Sequence, residues 1–119
     1  MEFNNNKSIF LQIAETITEK VLSGAYPEGE KIPSVRDLAA EMGVNPNTIM
    51  RTYNEVQSMD IINNKRGIGY FVNENAREVI QTSKKKEFFE TVFPEIIRQA
   101  GLLGITATQL KSHIDQNFN

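Results

Sequence analysis

The chain has no cysteine and no tryptophan, and His113 is its only histidine. Without cysteine there are no disulfides and no thiolate metal ligands. With a single histidine, no Cys/His metal set can be assembled either. Serine, histidine and aspartate are all present, but no spacing among them suggests a catalytic triad. Gly67-Ile68-Gly69 is a weak glycine motif with no phosphate-binding helix after it, so no nucleotide site is expected. No apolar run approaches the roughly 20 residues of a membrane helix. Met1 to Lys7 lack a basic region followed by an apolar stretch, so they do not read as a signal peptide. These seven residues are polar and expected to be loose, and the protein is expected in the cytoplasm. No enzyme activity and no cofactor are expected.

What is present is ordinary for a globular chain: 119 residues, 39% hydrophobic and 24% charged. The length suits one domain, or a small domain with an appendage. The net charge is −2, and residues 1–75 carry 7 Lys/Arg against 10 Asp/Glu. That balance argues mildly against a nucleic-acid partner, which normally leaves a basic footprint. Any DNA-binding surface must therefore concentrate its cations locally.

Hydrophobic period organises the chain. From Ser8, a plausible N-cap, Phe10, Ile13, Ala14, Ile17 and Val21 follow the spacing of one buried helix face, which Gly24 ends. Ala25 to Lys31 read as a turn-rich connection punctuated by Pro27 and Gly29. Ser34 with Asp37 has capping-box spacing and opens a short helix from about Val35 to Met42, with Val35, Leu38, Ala39 and Met42 inward. Asn45 as N-cap and Pro46 at the first helical position open another, with Ile49, Tyr53 and Val56 as its apolar stripe. Ile61–Asn64 and Tyr70–Asn73 have strand composition around a basic, glycine-bearing loop, Lys65 to Gly69. Three helices and a hairpin in this order predict a winged helix-turn-helix over residues 8–75.

The remainder, residues 76–119, is expected to be a helical tail. Its apolar face (Ala76, Val79, Ile80, Phe88, Phe89, Val92, Phe93, Ile96, Ile97, Ala100) is too rich for an isolated helix. Pro94 should kink it or start a new turn. Thr106 and Gln109 have capping-box spacing for a last helix, in which Leu110 and Ile114 are expected to be buried. Phe88, Phe89, Val92, Phe93, Ile96, Ile97, Leu110 and Ile114 are accordingly assigned to a dimerisation surface. The fold class is mainly α with a small β-hairpin: a winged helix-turn-helix plus a helical dimerisation segment.

An α-helix fits the major groove of DNA, and its first turns reach base edges. The helix from Pro46 presents Asn47, Thr48, Arg51 and Thr52 off its apolar stripe. Arginine donates bidentately to guanine, asparagine pairs with adenine, and threonine can meet a thymine methyl or a phosphate. Arg36 could touch backbone or base. Lys65 and Arg66 at the wing could enter the adjacent minor groove, with Gly67 allowing close approach. Each residue has a plainer role available. Arg51 could pair with Glu55 four residues on, Asn45 and Pro46 could serve only as caps, and the Lys84-Lys85-Lys86 run and His113 could simply be solvated. The whole domain could also act as a protein-interaction module without DNA, which the acidic balance favours slightly.

The residues resemble a known family. Ile9-Phe10-Leu11-Gln12-Ile13, Val21-Leu22-Ser23-Gly24, Pro27 through Ala39, Gly43 through Ile49 with Tyr53, and Arg66 through Val72 look like the N-terminal domain of GntR-family bacterial transcription factors. The likeness runs from about residue 8 to 73. It implies DNA contacts from Ser34, Arg36, Asn47, Thr48, Arg51 and the wing near Arg66-Gly67, in homodimers on inverted-repeat operators. The short tail looks like that of the YtrA subfamily, whose two C-terminal helices dimerise and which lacks a large effector domain. Such regulators are often linked to transporter operons. Asp60 departs from the family's usual glycine after the recognition helix, but aspartate tolerates the left-handed conformation better than most residues. Asn47 stands where many relatives have Arg or Ser, which bears on the operator sequence and not on the binding mode.

Overall fold

A computed structural model describes residues 8–118; the expected loose segment 1–7 lies outside the described residues. The chain divides into two compact units between Thr82 and Ser83.

In the first unit, α1 (Ile9–Ser23) buries Ile13, Ala14, Ile17, Thr18 and Val21. Ser8 has the extended backbone of an N-cap, but its side chain makes no capping bond. Helix α2 (Val35–Met42) buries Leu38 and Ala39, with Val35 and Met42 half-buried against the core. Helix α3 (Pro46–Ser58) buries Ile49, Thr52, Tyr53 and Val56. The three helices therefore converge on one apolar core, which Ile32, Ile61, Ile62 and Val72 complete.

Asp60 adopts φ 62°, the only left-handed non-glycine among the described residues. It closes α3: the Asp60 amide donates to Gln57 O (3.0 Å) and the Ile61 amide to Val56 O (3.3 Å). These are the two bonds of a Schellman motif, with aspartate in the glycine position. Because the Ile61 amide is used there, the first strand begins one residue later than expected. Strand β1 (Ile62–Lys65) pairs antiparallel with β2 (Gly69–Val72) in the register Ile62–Val72 to Lys65–Gly69. Arg66, Gly67 and Ile68 form the turn of this wing.

The connection before α2 is more ordered than its proline and glycine suggest. Lys31 forms an antiparallel bridge with Phe71. The Ile32 amide donates to Tyr70 O and the Val72 amide to Glu30 O, both at 3.0 Å. The free edge of β2 is thereby covered.

Helix α4 (Ala76–Glu87) buries Ala76 and Ile80 in the same core. The first compact unit thus extends past residue 75, because two turns of the expected tail are needed to close it.

In the second unit, a π-helical turn (Phe88–Val92) precedes α5 (Phe93–Leu102). Pro94 explains the widening: a proline cannot donate to the carbonyl four residues back, and its ring crowds that carbonyl. The Phe93 amide donates instead to Phe88 O, five residues back. Helix α5 ends in another Schellman motif at Gly104 (φ 70°), with Ile105 N to Ala100 O at 2.9 Å. Helix α6 (Ala107–Asn117) starts with the capping box expected of Thr106 and Gln109. No described helix is long and apolar enough to cross a membrane.

Candidate nucleic-acid interface

The candidate residues lie on α2, α3 and the wing. Capping fixes where both helices begin. Ser34 Oγ accepts from the Asp37 amide (3.1 Å) and Asn45 Oδ1 from the Asn47 amide (2.8 Å). These bonds leave the Ser34 hydroxyl hydrogen and the Asn45 amide group as donors toward solvent. Arg36, Asn47 and Arg51 are exposed, and Thr48 is half-buried.

Two buried contacts hold α3 in place. The Tyr53 hydroxyl donates to Pro33 O at 2.6 Å, and its ring meets Tyr70 edge-on at 4.8 Å. Tyr53 thus ties α3 both to the start of α2 and to the wing. Burial holds its phenol far above the usual tyrosine range, and nearby tyrosines and carboxylates add to the effect.

Thr52 does not belong to the exposed set. It is fully buried, and its hydroxyl reaches Thr48 O at 2.8 Å and Phe10 O at 3.2 Å. A threonine in that position faces α1, because it lies between Ile49 and Val56 around the helix. It supports the interface from behind and cannot meet DNA.

Arg51 makes no ion pair with Glu55. Its guanidinium lies over the Phe10 ring, 4.0 Å from the centroid. At the wing, Lys65 lies over the Phe71 ring (4.3 Å), while Arg66 and Gly67 sit exposed at the tip. Gly67 has φ 79°, the conformation a tight tip requires.

Between α2 and the wing runs a cleft of about 310 Å³ lined by Lys31, Ser34, Arg36, Ile68, Gly69 and Tyr70 among others. Two cations and no carboxylate line it. Gly69 matters to its shape: a Cβ there would come within 2.7 Å of Lys31 Cε, and φ is 140°. The sequence does not mark Phe10, Lys31 and Tyr70, which lie beside the candidate residues. Phe10 and Tyr70 reach the recognition helix, and Lys31 the cleft between α2 and the wing, only through tertiary packing.

Cations and acids both lie on these elements, with Asp37 and Glu41 on α2 and Glu55 on α3, while no carboxylate lines the cleft beside the wing. Arg36 and Arg51 are on the two helices of the motif, and Lys65 and Arg66 are on its wing. The acidic residues Glu15 and Glu19 lie on α1 and Glu28 and Glu30 precede α2. Glu28 has a structural task, its carboxylate accepting from the Arg77 amide at the start of α4 (3.3 Å).

In the tail unit, the stripe assigned to dimerisation is uncovered. Phe88, Phe89, Val92, Phe93, Ile96 and Ile97 are exposed, Phe89 to 64%. Leu110 is half-buried and Ile114 exposed, so within one chain they are not the buried residues expected. Among the described residues of this unit only Ala100 is buried. Lys84, Lys85, Lys86 and His113 are exposed. No group of three or more metal-ligating side chains occurs among the described residues.

Two helices of a helix-turn-helix, the second exposing polar side chains at its N-terminal end, with a hairpin wing beside them, define a winged helix-turn-helix of the DNA-binding class. The family profile "Bacterial regulatory proteins, gntR family" matches residues 10–72, and the chain belongs to this family of DNA-binding transcriptional regulators. It is 38% identical over 109 residues to the HTH-type transcriptional regulator YhcF of Bacillus subtilis, covering 92% of this chain and 88% of YhcF. It is 32% identical to the transcriptional repressor YtrA of the same organism, covering 91% and 82% of the two chains. A GntR-family regulator from Listeria monocytogenes has a similar solved structure, with TM-score 0.78, 31% identity, and 96% and 98% coverage. Similarity extends through the tail in all three, so the likeness is not confined to the winged domain.

Proposed function

We propose that the protein acts as a homodimeric repressor on an inverted-repeat operator. The observation that carries the dimer is the uncovered apolar stripe of Phe88, Phe89, Val92, Phe93, Ile96 and Ile97. A surface this apolar in water is a self-association surface by energetics: burying one such side chain stabilises by about 1.5–3 kcal/mol. The Arg98–Glu95 ion pair (2.7 Å) shows where the charged side of the same helix lies. A two-fold dimer presents two copies of α3 to half-sites about one helical turn apart, which is why the operator should be an inverted repeat. Repression rests on the likeness to the repressor YtrA and on simple occlusion of a promoter.

In each half-site, Asn47, Thr48 and Arg51 face base edges. Ser34, Asn45 and Arg36 meet the flanking backbone, and Lys65, Arg66 and Gly67 of the wing meet the neighbouring groove. No cofactor is required for this binding. The test is a fluorescence-anisotropy titration against duplex from the gene's own promoter, with light scattering on the same sample. The expected result is salt-dependent binding of two protomers per duplex. Binding unaffected by combined loss of Arg36 and Arg51 would overturn the mechanism.

A further inference from the structure

The Phe10–Arg51 contact carries more than a stability role. Phe10 is in the first turn of α1, while Arg51 is the exposed cation of the recognition helix, and the two meet at 4.0 Å. The pair is held from beneath: the single hydrogen of the buried Thr52 hydroxyl is shared between Thr48 O (2.8 Å) and the carbonyl of Phe10 itself (3.2 Å). The start of α1 is therefore fastened to α3 at the turn that bears Arg51. A shallow cleft of about 200 Å³ opens beside it, lined by Ser8, Ile9, Phe10, Thr48 and Arg51.

A guanidinium over an aromatic ring spends its face and keeps its edge. Its N–H donors lie in its plane, directed away from the ring. Those in-plane donors are what a bidentate contact to guanine O6 and N7 uses. A free arginine side chain has many rotamers and loses that freedom on binding, whereas one stacked beforehand has already lost much of it. Pairing with Glu55 would have consumed the same donors, and that pair is not formed.

We infer that Phe10 is a specificity-positioning residue: its ring pre-orients Arg51 for bidentate recognition of a guanine. DNA reading by this protein thus depends on an aromatic residue outside the helix-turn-helix. The inference rests on the proposed role of α3 in reading DNA.

The experiment uses the full-length chain and a duplex recovered by the wild-type protein from a randomised library, with a scrambled duplex as the non-specific competitor. Phe10→Leu keeps an apolar side chain but removes the π face. It is expected to lower the specific-to-non-specific affinity ratio by roughly 2- to 10-fold, the ordering cost of one rotamer-rich side chain that is no longer positioned beforehand. Non-specific affinity and melting temperature should change little. Phe10→Tyr should restore the ratio. In an Arg51→Ala background, Phe10→Leu should cost nothing further, since the group it positions is gone. An equal loss with and without Arg51 would overturn the inference and leave Phe10 a packing residue. Should Phe10→Leu lower the melting temperature markedly, the Phe10→Tyr ratio and the Arg51→Ala cycle at a temperature below both transitions still decide it. A wild-type protein that selects no duplex at all would instead remove the DNA-reading proposal beneath it.

Discussion

Arg51, Tyr53 and Gly69 show how differently single residues enter this interface. Arg51 is exposed and held at its face by Phe10, so its removal should be felt at one base position. Arg51→Ala is expected to weaken operator binding by about 1–3 kcal/mol and to relax preference at that base, read by binding to a panel of single-base variants. Tyr53 acts from inside. Its phenol is neutral and buried, and its folded-state pKa lies above the unfolded value near about 10. The folded state therefore holds the proton more tightly. Its stabilising contribution is fully present below about pH 10 and declines as pH rises past that value, where the unfolded chain ionises first. Urea midpoints measured in the alkaline range should fall in the wild type and fall less steeply in Tyr53→Phe. That variant should itself lose on the order of 1 kcal/mol at neutral pH with the bond to Pro33. Gly69 is constrained twice, by φ 140° and by Lys31 lying where a Cβ would go. Gly69→Ala should cost about 1 kcal/mol or more in thermal or urea unfolding, because alanine is strained at positive φ, and should displace Lys31 from the cleft beside α2.

At the scale of elements, helix ends did most of the positioning. Ser34, Asn45 and Thr106 cap as their spacing implied, because side-chain capping is a short-range interaction set by three or four residues. Asp60 also takes the left-handed conformation, and its carbonyl accepts from Asn73 Nδ2 at 2.7 Å, which ties the end of α3 to the end of β2. Glycine would keep that backbone bond and relieve the Cβ. Asp60→Gly is expected to stabilise the fold by about 0.5–1 kcal/mol in urea unfolding, without altering DNA affinity. The bridge at Lys31 was not legible in the same way. Pairing with β2 is a long-range interaction, and a residue between Glu30 and Ile32 in a Pro- and Gly-marked segment carries no period-two signal. Thr52 was misassigned for a related reason: its polarity suggested solvent, but its angular position on α3 lies among buried residues, and two backbone carbonyls satisfy its hydroxyl.

For the molecule as a whole, charge and exposed apolar area set the expectations. With Arg51 assigned to a base, four cations per protomer (Lys31, Arg36, Lys65 and Arg66) allow at most eight phosphate contacts in a dimer. The slope of log affinity against log salt should then be no steeper than about −7, which anisotropy titrations across a salt series would measure. Self-association should depend on the tail stripe. Phe93→Asp is expected to weaken dimerisation by roughly 100-fold or more, since about 1.5–3 kcal/mol is lost in each of two protomers. Sedimentation would show the monomer, and circular dichroism should show the winged domain intact, because the two compact units divide ahead of this residue.

Local interactions were determined by sequence alone: the order of the elements, the caps at Ser34, Asn45 and Thr106, the turn at Asp60, the effect of Pro94 and the apolar stripe of the tail all arise within a few residues of chain. Tertiary structure alone decided which polar side chains face outward. It buried Thr52, laid Arg51 on Phe10, brought Lys31 beside Arg36 and drew the start of α4 into the first core. Those outcomes depend on contacts between segments distant in the chain, and a one-dimensional pattern records only what a residue prefers, not which neighbour it meets.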